Sequence, residues 1–270
     1  MSSSSSLTLP APGQADRRVR RLLEILGALA IAGTYLYLVL AQPADITNGL
    51  SSGSTLLALS GFLLGVVLLI LGILPTLPTS TLVLIPVALV LNIVLGQFVG
   101  STLVPFYLDA IGTVLIAVLA GPAAGAATGA LSSIVWSLFN PTVLPFAAGA
   151  ALIGFLAGLA ARYGLFRRFY LAPVAGFVTG IFAGVFSAPI AAFVYGGTSG
   201  VATGAIVGAF RAMGDSLLTA ITKQALLSDP MDKAIVFTVV AVLVYALPRR
   251  STLRFPFVRR FRVLAGAKSS

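Results

Sequence analysis

Long apolar runs, separated by short breaks rich in Pro, Gly or charge, dominate this sequence. Nine of the runs are close in length to the stretch of about 20 residues that an α-helix needs to cross a bilayer. The pattern therefore predicts an all-α integral membrane protein. The predicted helices cover residues 22–41, 54–74, 81–99, 106–120, 122–139, 145–162, 172–195, 203–227 and 232–247.

The breaks between the runs divide the chain into four parts. Pro75 and Pro78 separate the first two apolar runs from the others. The Ser-rich start, which contains Pro10 and Pro12, predicts a disordered segment, and a basic segment follows the last apolar run. The predicted parts are a disordered cytoplasmic tail (1–20), a transmembrane hairpin (21–78), a substrate-binding transmembrane core (79–250) and a basic cytoplasmic tail (251–270).

Positive charge is concentrated in three places. Short loops rich in Lys and Arg remain on the cytoplasmic side of a membrane, so the pattern predicts a multi-pass protein of a cell membrane with both termini inside. Fourteen of the 17 basic residues form the three clusters, which are Arg17, Arg18, Arg20 and Arg21, then Arg162, Arg167 and Arg168, and last Arg249, Arg250, Arg254, Arg259, Arg260, Arg262 and Lys268.

Nine crossings would place the first and last clusters on opposite sides, so one run is expected not to cross. Segment 203–227 is the best candidate, because it contains Arg211, Asp215 and Lys223. These residues and Thr219 are four positions apart, which predicts one polar stripe on a helix. The expected topology is eight spans plus one re-entrant or interfacial helix. The alternative, in which 203–227 crosses and another run re-enters, remains open.

Composition narrows the possible functions. Hydrophobic residues make up 58% of the chain and charged residues 9%, which is too little polar surface for a water-soluble globule. The net charge of +10 lies next to apolar spans, where anionic lipids explain it, so no nucleic acid partner is expected. The chain has no His and no Cys. Catalysis and cofactor binding that depend on those residues are excluded, and neither a cofactor nor enzymatic activity is expected.

Glycine recurs at every fourth position in several runs. Such small-xxx-small patterns let helices approach closely inside a membrane. The sequence leaves open whether each stripe only holds the bundle together or faces another protein. The stripes are Gly121/Gly125/Gly129, Ala150/Gly154/Gly158, Gly176/Gly180/Gly184 and Gly200/Gly204/Gly208.

The predicted orientation places scattered polar residues on the outer side of the core. Polar groups at membrane depth are costly and usually face a cavity or one another, so they predict an outward-facing pocket. Alternative roles remain open: a mutual ion pair for Arg211 and Asp215, interfacial anchoring for Trp136 and Tyr195, and a helix cap for Asp109. Asn92 could instead hydrogen-bond across a helix interface. The candidate substrate-binding residues are Asn92, Tyr107, Asp109, Trp136, Asn140, Tyr195, Arg211, Asp215 and Lys233.

Several motifs occur in a characteristic order between about residues 80 and 248. They are Pro105-Phe-Tyr-Leu-Asp-Ala-Ile-Gly-Thr113, Gly121-Pro122, Pro145-Phe146, Ile153-Gly154, Ser187-Ala188-Pro189, Tyr195-Gly196-Gly197 and Asp232-Lys233 near the start of the last helix. In this order they resemble the substrate-binding membrane subunits, or S components, of energy-coupling factor transporters.

The resemblance implies a six-helix bundle that captures a vitamin or related micronutrient from outside a prokaryotic cell. It also implies a transmembrane coupling subunit and two ATP-binding subunits as partners. The sequence contains no Gly-x-x-x-x-Gly-Lys-Ser/Thr loop, so ATP use would depend on such partners. The two additional amino-terminal spans and the long polar segment after Gly197 depart from a minimal six-helix subunit. A stand-alone secondary transporter and a membrane sensor module remain alternatives.

Overall fold

The computed structural model describes residues 12–48, 52–197 and 200–264, and this part of the chain is all-helical. Nine principal helices are followed by two short ones. They are α1 (Pro12–Ala41), α2 (Gly53–Ile73), α3 (Thr79–Gly100), α4 (Ile111–Ala120), α5 (Pro122–Ser137), α6 (Ala147–Arg162), α7 (Leu171–Phe193), α8 (Val201–Ala212), α9 (Leu217–Ala246), α10 (Arg249–Thr252) and α11 (Pro256–Phe261).

Five helical segments in the described residues are long and apolar enough to cross a membrane. Their exposed faces are apolar as well. On α3, for example, Val83, Val87, Val90 and Val94 are each more than half exposed and form one stripe. Such a stripe suits lipid and not water, so the chain is an all-helical membrane protein. The five segments are Asp16–Ala41, Gly53–Thr76, Thr79–Gly100, Pro141–Arg162 and Leu171–Phe193.

Glycine contacts set the packing of antiparallel helix pairs. A side chain at Gly125 would overlap the Gly154 carbonyl, and one at Gly129 would overlap Ala150, so two predicted stripes face each other between α5 and α6. The amino-terminal hairpin is built similarly, since Gly65 of α2 lies against Gly27 of α1. Close backbone contact replaces the hydrophobic effect as the packing force within a membrane.

The third stripe brings α7 against α9. Side chains at Gly176 and Gly180 would overlap the backbone of α9 at Lys233 and at Asp229 and Pro230, respectively. The fourth stripe, Gly200/Gly204/Gly208, makes no such helix contact at Gly208, where an added side chain would meet no described atom within 4 Å.

The amino-terminal hairpin packs on the core. Tyr35 of α1 stacks on Phe186 of α7 with ring centroids 3.9 Å apart, and its hydroxyl donates to the Phe186 carbonyl. Both residues lie in the last third of their helices, so α1 and α7 run in the same direction. The starts of these two helices, with their neighbouring Arg residues, therefore lie at the same end of the bundle.

The carboxy-terminal segment closes that same end. The Arg167 guanidinium donates to the carbonyls of Phe261 and Arg262, at 2.9 and 2.7 Å. Phe257 of α11 lies against Gly121 in the turn between α4 and α5. The described members of the three Arg clusters thus belong to segments that meet at one end of the bundle, called the basic end below.

Both segments that the sequence predicts to be tails contain helix. Residues 12–20 form the first turns of α1 instead of a disordered tail, and Arg20 there pairs with Asp16 at 3.7 Å. The predicted basic tail forms α10 and α11 and buries Phe255 and Val258, whereas residues 1–11 and 265–270 lie outside the described part.

Segment 203–227 is not one helix. The chain turns between α8 and α9 at Gly214, whose φ of +94° favours glycine. Helix α9 begins at Leu217 and continues for 30 residues, so Asp232 and Lys233 lie in its middle and not at its start.

Candidate functional site

The described part of the bundle contains a cavity of about 460 Å³ at the end opposite the basic end. The second halves of α3, α5 and α7 and the first halves of α4, α6 and α9 form its wall. This arrangement follows from the antiparallel packing, which brings those half-helices to the same level. The polar and aromatic side chains that line it include Gln97, Tyr107, Asp109, Thr113, Ser132, Ser133, Trp136, Asn140, Ser187, Gln224, Asp229 and Lys233.

A cluster of charged residues lies at one wall of the cavity, where Asp109 and Lys233 line the cavity and Asp232 does not. The Lys233 ammonium lies 3.1 Å from Asp109 Oδ1 and also donates to Asp232 Oδ2. Asp232 Oδ1 accepts the backbone N–H groups of Tyr107 and Leu108, at 3.2 and 2.9 Å. Lys233 is therefore held by two carboxylates, and Asp232 fixes the chain just before α4. Such complete pairing is what makes charge tolerable inside a bundle.

Asp229 lies one helical turn before Lys233 and also faces the cavity. Its Oδ1 atom accepts a hydrogen bond from the Ser228 hydroxyl at 3.2 Å. Its Oδ2 atom lies beside Gly184 of α7, where any larger side chain would contact it. Among the described residues, no Lys or Arg nitrogen comes within ion-pairing distance of this carboxylate.

Trp136 forms an aromatic wall next to this cluster. Its ring crosses α3 at Gly96, where an added side chain would collide with both Trp136 and Asp109. Only 9% of Trp136 is exposed. Gly96 thus lets the aromatic ring and the acid come together at the cavity surface.

Asn92 supports the cavity from behind. Its Oδ1 atom accepts the N–H groups of Gly112 and Thr113, at 2.7 and 3.4 Å, which caps the first turn of α4 from a neighbouring helix. Its amide donates to the hydroxyls of Thr113 and Ser132, at 2.8 and 3.3 Å. Asn92 is fully buried and does not line the cavity, so it positions two residues that do.

Two more candidates are partly engaged at the cavity rim. The Tyr107 hydroxyl shares a hydrogen bond of 3.1 Å with the Thr203 hydroxyl, which ties the start of α8 to the segment before α4. The Asn140 side chain accepts from the Thr142 hydroxyl at 2.6 Å and caps the turn after α5. Both residues line the cavity.

The structure brings five of the nine candidates to the cavity wall: Tyr107, Asp109, Trp136, Asn140 and Lys233. Tyr195 stacks on Phe146, which does line the cavity, at 5.9 Å, and its hydroxyl has no hydrogen-bond partner among the described residues.

Arg211 and Asp215 lie away from the cavity, at the turn between α8 and α9. The alternative role, a mutual ion pair of their side chains, is not formed either, because the Asp215 carboxylate binds Lys223 at 2.8 Å. Arg211 instead donates to the backbone carbonyl of Asp215. The turn places these groups on two helices, so they do not form one helical stripe.

The candidate set omitted Asp229, Gln224, Thr113 and Ser132. Gln224, Asp229 and Lys233 share a face of α9 at five- and four-residue spacing. This pattern crosses the predicted break between runs 203–227 and 232–247, so it does not stand out in the sequence. Among the described residues, no group of three or more His, Cys, Asp or Glu side chains is arranged to hold a metal ion.

The fold and the cavity define a class: an all-helical membrane protein with a charged, aromatic-lined cavity at one end. Comparison of the chain with protein-family models, with curated proteins and with solved structures finds no match.

Proposed function

We propose that this protein captures a small organic nutrient in its cavity and delivers it to partner subunits for ATP-driven import. The observation that carries the proposal is the cavity itself. Its volume of about 460 Å³ falls within the range of small-molecule sites, and its wall combines aromatic rings with a few fixed polar groups. The motif order between residues 80 and 248, which resembles S components, supports the import role and a vitamin-like substrate.

The proposed topology has the basic end in the cytoplasm of a prokaryotic cell and the cavity facing outside. Eight helices cross, namely α1 to α7 and α9, while α8 lies at the outer surface. The meeting of the basic segments at one end of the bundle supports this orientation, because the orientation rule places short Lys- and Arg-rich segments inside. The proposed partners are a transmembrane coupling subunit and two ATP-binding subunits.

The sole tryptophan of the chain makes ligand binding directly measurable. Trp136 lies in the cavity wall, so its fluorescence reports on cavity occupancy. Protein purified from cells grown in rich medium should carry a ligand that mass spectrometry identifies. Adding that ligand back to stripped protein should change the emission, and Trp136→Phe should abolish the signal.

Reconstitution tests the import step. The protein alone in sealed vesicles should bind the identified ligand without accumulating it. Vesicles that also contain the membrane and ATP-binding proteins copurified with it should accumulate ligand only when ATP is supplied. Accumulation by the isolated protein would replace the proposal with a stand-alone transporter, for which the Asp109–Lys233 pair would be a natural coupling element.

A further inference from the structure

We propose that the ligand of this cavity is an organic cation whose positive charge lies against the Asp229 carboxylate. The inference rests on the proposed function, because it assumes that the cavity binds a small molecule. It adds the chemical class of that molecule.

The charge balance at the cavity wall is the first support. Asp109 and Asp229 line the cavity, and Lys233 is the only Lys or Arg among the described residues that line it. Asp232 does not line the cavity but is buried in contact with Lys233, so it belongs to the same charge cluster. Three formal negative charges and one positive charge leave a formal charge of −2. Excess charge of one sign in a poorly hydrated site favours a ligand of the opposite sign.

The distribution of partners singles out Asp229. Lys233 is engaged by Asp109 and Asp232, and Asp232 also accepts two backbone N–H groups. Asp229 accepts a hydrogen bond from Ser228 alone among the described residues. It therefore retains acceptor capacity toward the cavity, whereas the ammonium of Lys233 has little capacity left for an anionic ligand.

The aromatic wall fits the same class. Trp136 and Tyr107 line the cavity together with Asp229. Tryptophan and tyrosine rings attract cations through their π faces, and this attraction is strongest where water is excluded. A protonated amine or a positively charged nitrogen heterocycle would use both the carboxylate and the rings. An anionic ligand would meet repulsion at Asp229.

Three probes of similar shape test the charge preference. These are 4-phenylbutylamine, 4-phenylbutanol and 4-phenylbutyrate, titrated into the full-length protein in nanodiscs with Trp136 emission as readout. A charge-assisted contact predicts that the amine binds about tenfold more tightly than the alcohol. The carboxylate should bind most weakly. Equal binding of amine and alcohol, or preference for the carboxylate, would overturn the inference without any variant being made.

Two matched substitutions locate the charge. Asp229→Asn should remove the preference for the amine over the alcohol. Asp215→Asn makes the same chemical change outside the cavity and should leave all three affinities unchanged. Retention of the amine preference in Asp229→Asn would show that Asp229 does not receive the charge.

The identity of the copurified ligand separates the two proposals. A cationic ligand supports the inference even if the probes are too weak to measure. A neutral or anionic ligand overturns the charge assignment and leaves the capture function intact. Absence of any copurified ligand, together with no response to the three probes, would overturn the capture function itself.

Discussion

Lys233 Nζ lies 3.1 Å from Asp109 Oδ1, which joins the middle of α9 to the segment before α4 across 124 positions of sequence. Asp232, the residue before Lys233, binds the backbone of that same segment at Tyr107 and Leu108. Two adjacent residues of one helix therefore fix both the side chain and the main chain that form the cavity wall.

Removing the buried ammonium should be costly. Lys233→Met leaves Asp109 and Asp232 without their cation, and breaking a buried pair in this way typically costs about 3–5 kcal/mol. We expect a large fall in the midpoint of thermal unfolding, measured in one detergent. The matched control is Lys223→Met, which breaks the half-exposed pair with Asp215 and should cost about 0–1 kcal/mol. Equal effects of the two substitutions would contradict the cluster's structural role.

The close contact of α7 with α9 predicts sensitivity to side-chain size. Gly180→Leu would drive its side chain into the backbone at Asp229 and Pro230. Overpacking of this kind costs about 1–3 kcal/mol and would displace the Asp229 carboxylate, so both stability and ligand affinity should fall. Gly208→Leu faces open space and serves as the control, with unfolding and affinity expected to match the parent protein.

Substitution of Asn92 should lower stability, because Asn92 holds the first turn of α4. Asn92→Leu removes the acceptor for two backbone N–H groups and the donor to two hydroxyls. Leaving such buried groups unpaired costs about 1–3 kcal/mol. Asn92→Asp keeps the acceptor for the α4 amides, so it should retain more stability than Asn92→Leu. The same loss in both variants would assign the effect to packing alone.

The carboxy-terminal segment lies at the basic end, and the cavity lies at the opposite end. We therefore expect this segment to be dispensable for ligand binding. Deletion after Pro248 removes Phe255, Phe257 and Val258 from the basic end and should lower thermal stability. Ligand affinity measured through Trp136 should remain unchanged, because no described residue of the deleted segment lines the cavity. A large loss of affinity with retained folding would show coupling between the two ends.

The helical class could be predicted from the sequence, and five of the predicted site residues line one cavity. Both features depend on patterns within single segments of the chain. Each apolar run and its flanking charges define a helix with a direction, and direction places Trp136 and Asp109 at the same level. The glycine pairs between α5 and α6 follow similarly from spacing.

The course of α9 could not be predicted in this way. Asp229, Asp232 and Lys233 lower the local hydropathy, so the sequence suggested a boundary between residues 227 and 232 where the structure has continuous helix. The helix persists there because Lys233 finds its carboxylates on another segment and because Gly176 and Gly180 admit its backbone. Such compensation depends on residues distant in sequence. The turn at Gly214 gave only the weak local signal of a single glycine.

Pro230 lies inside α9, directly after Asp229, and has no N–H to donate to the preceding turn. The helix therefore bends most easily near Pro230, where it crosses Gly180 of α7. Bending at this point would move the half of α9 that carries Gln224 relative to the half that leads to the basic end, and Asp229 lies at the junction of the two.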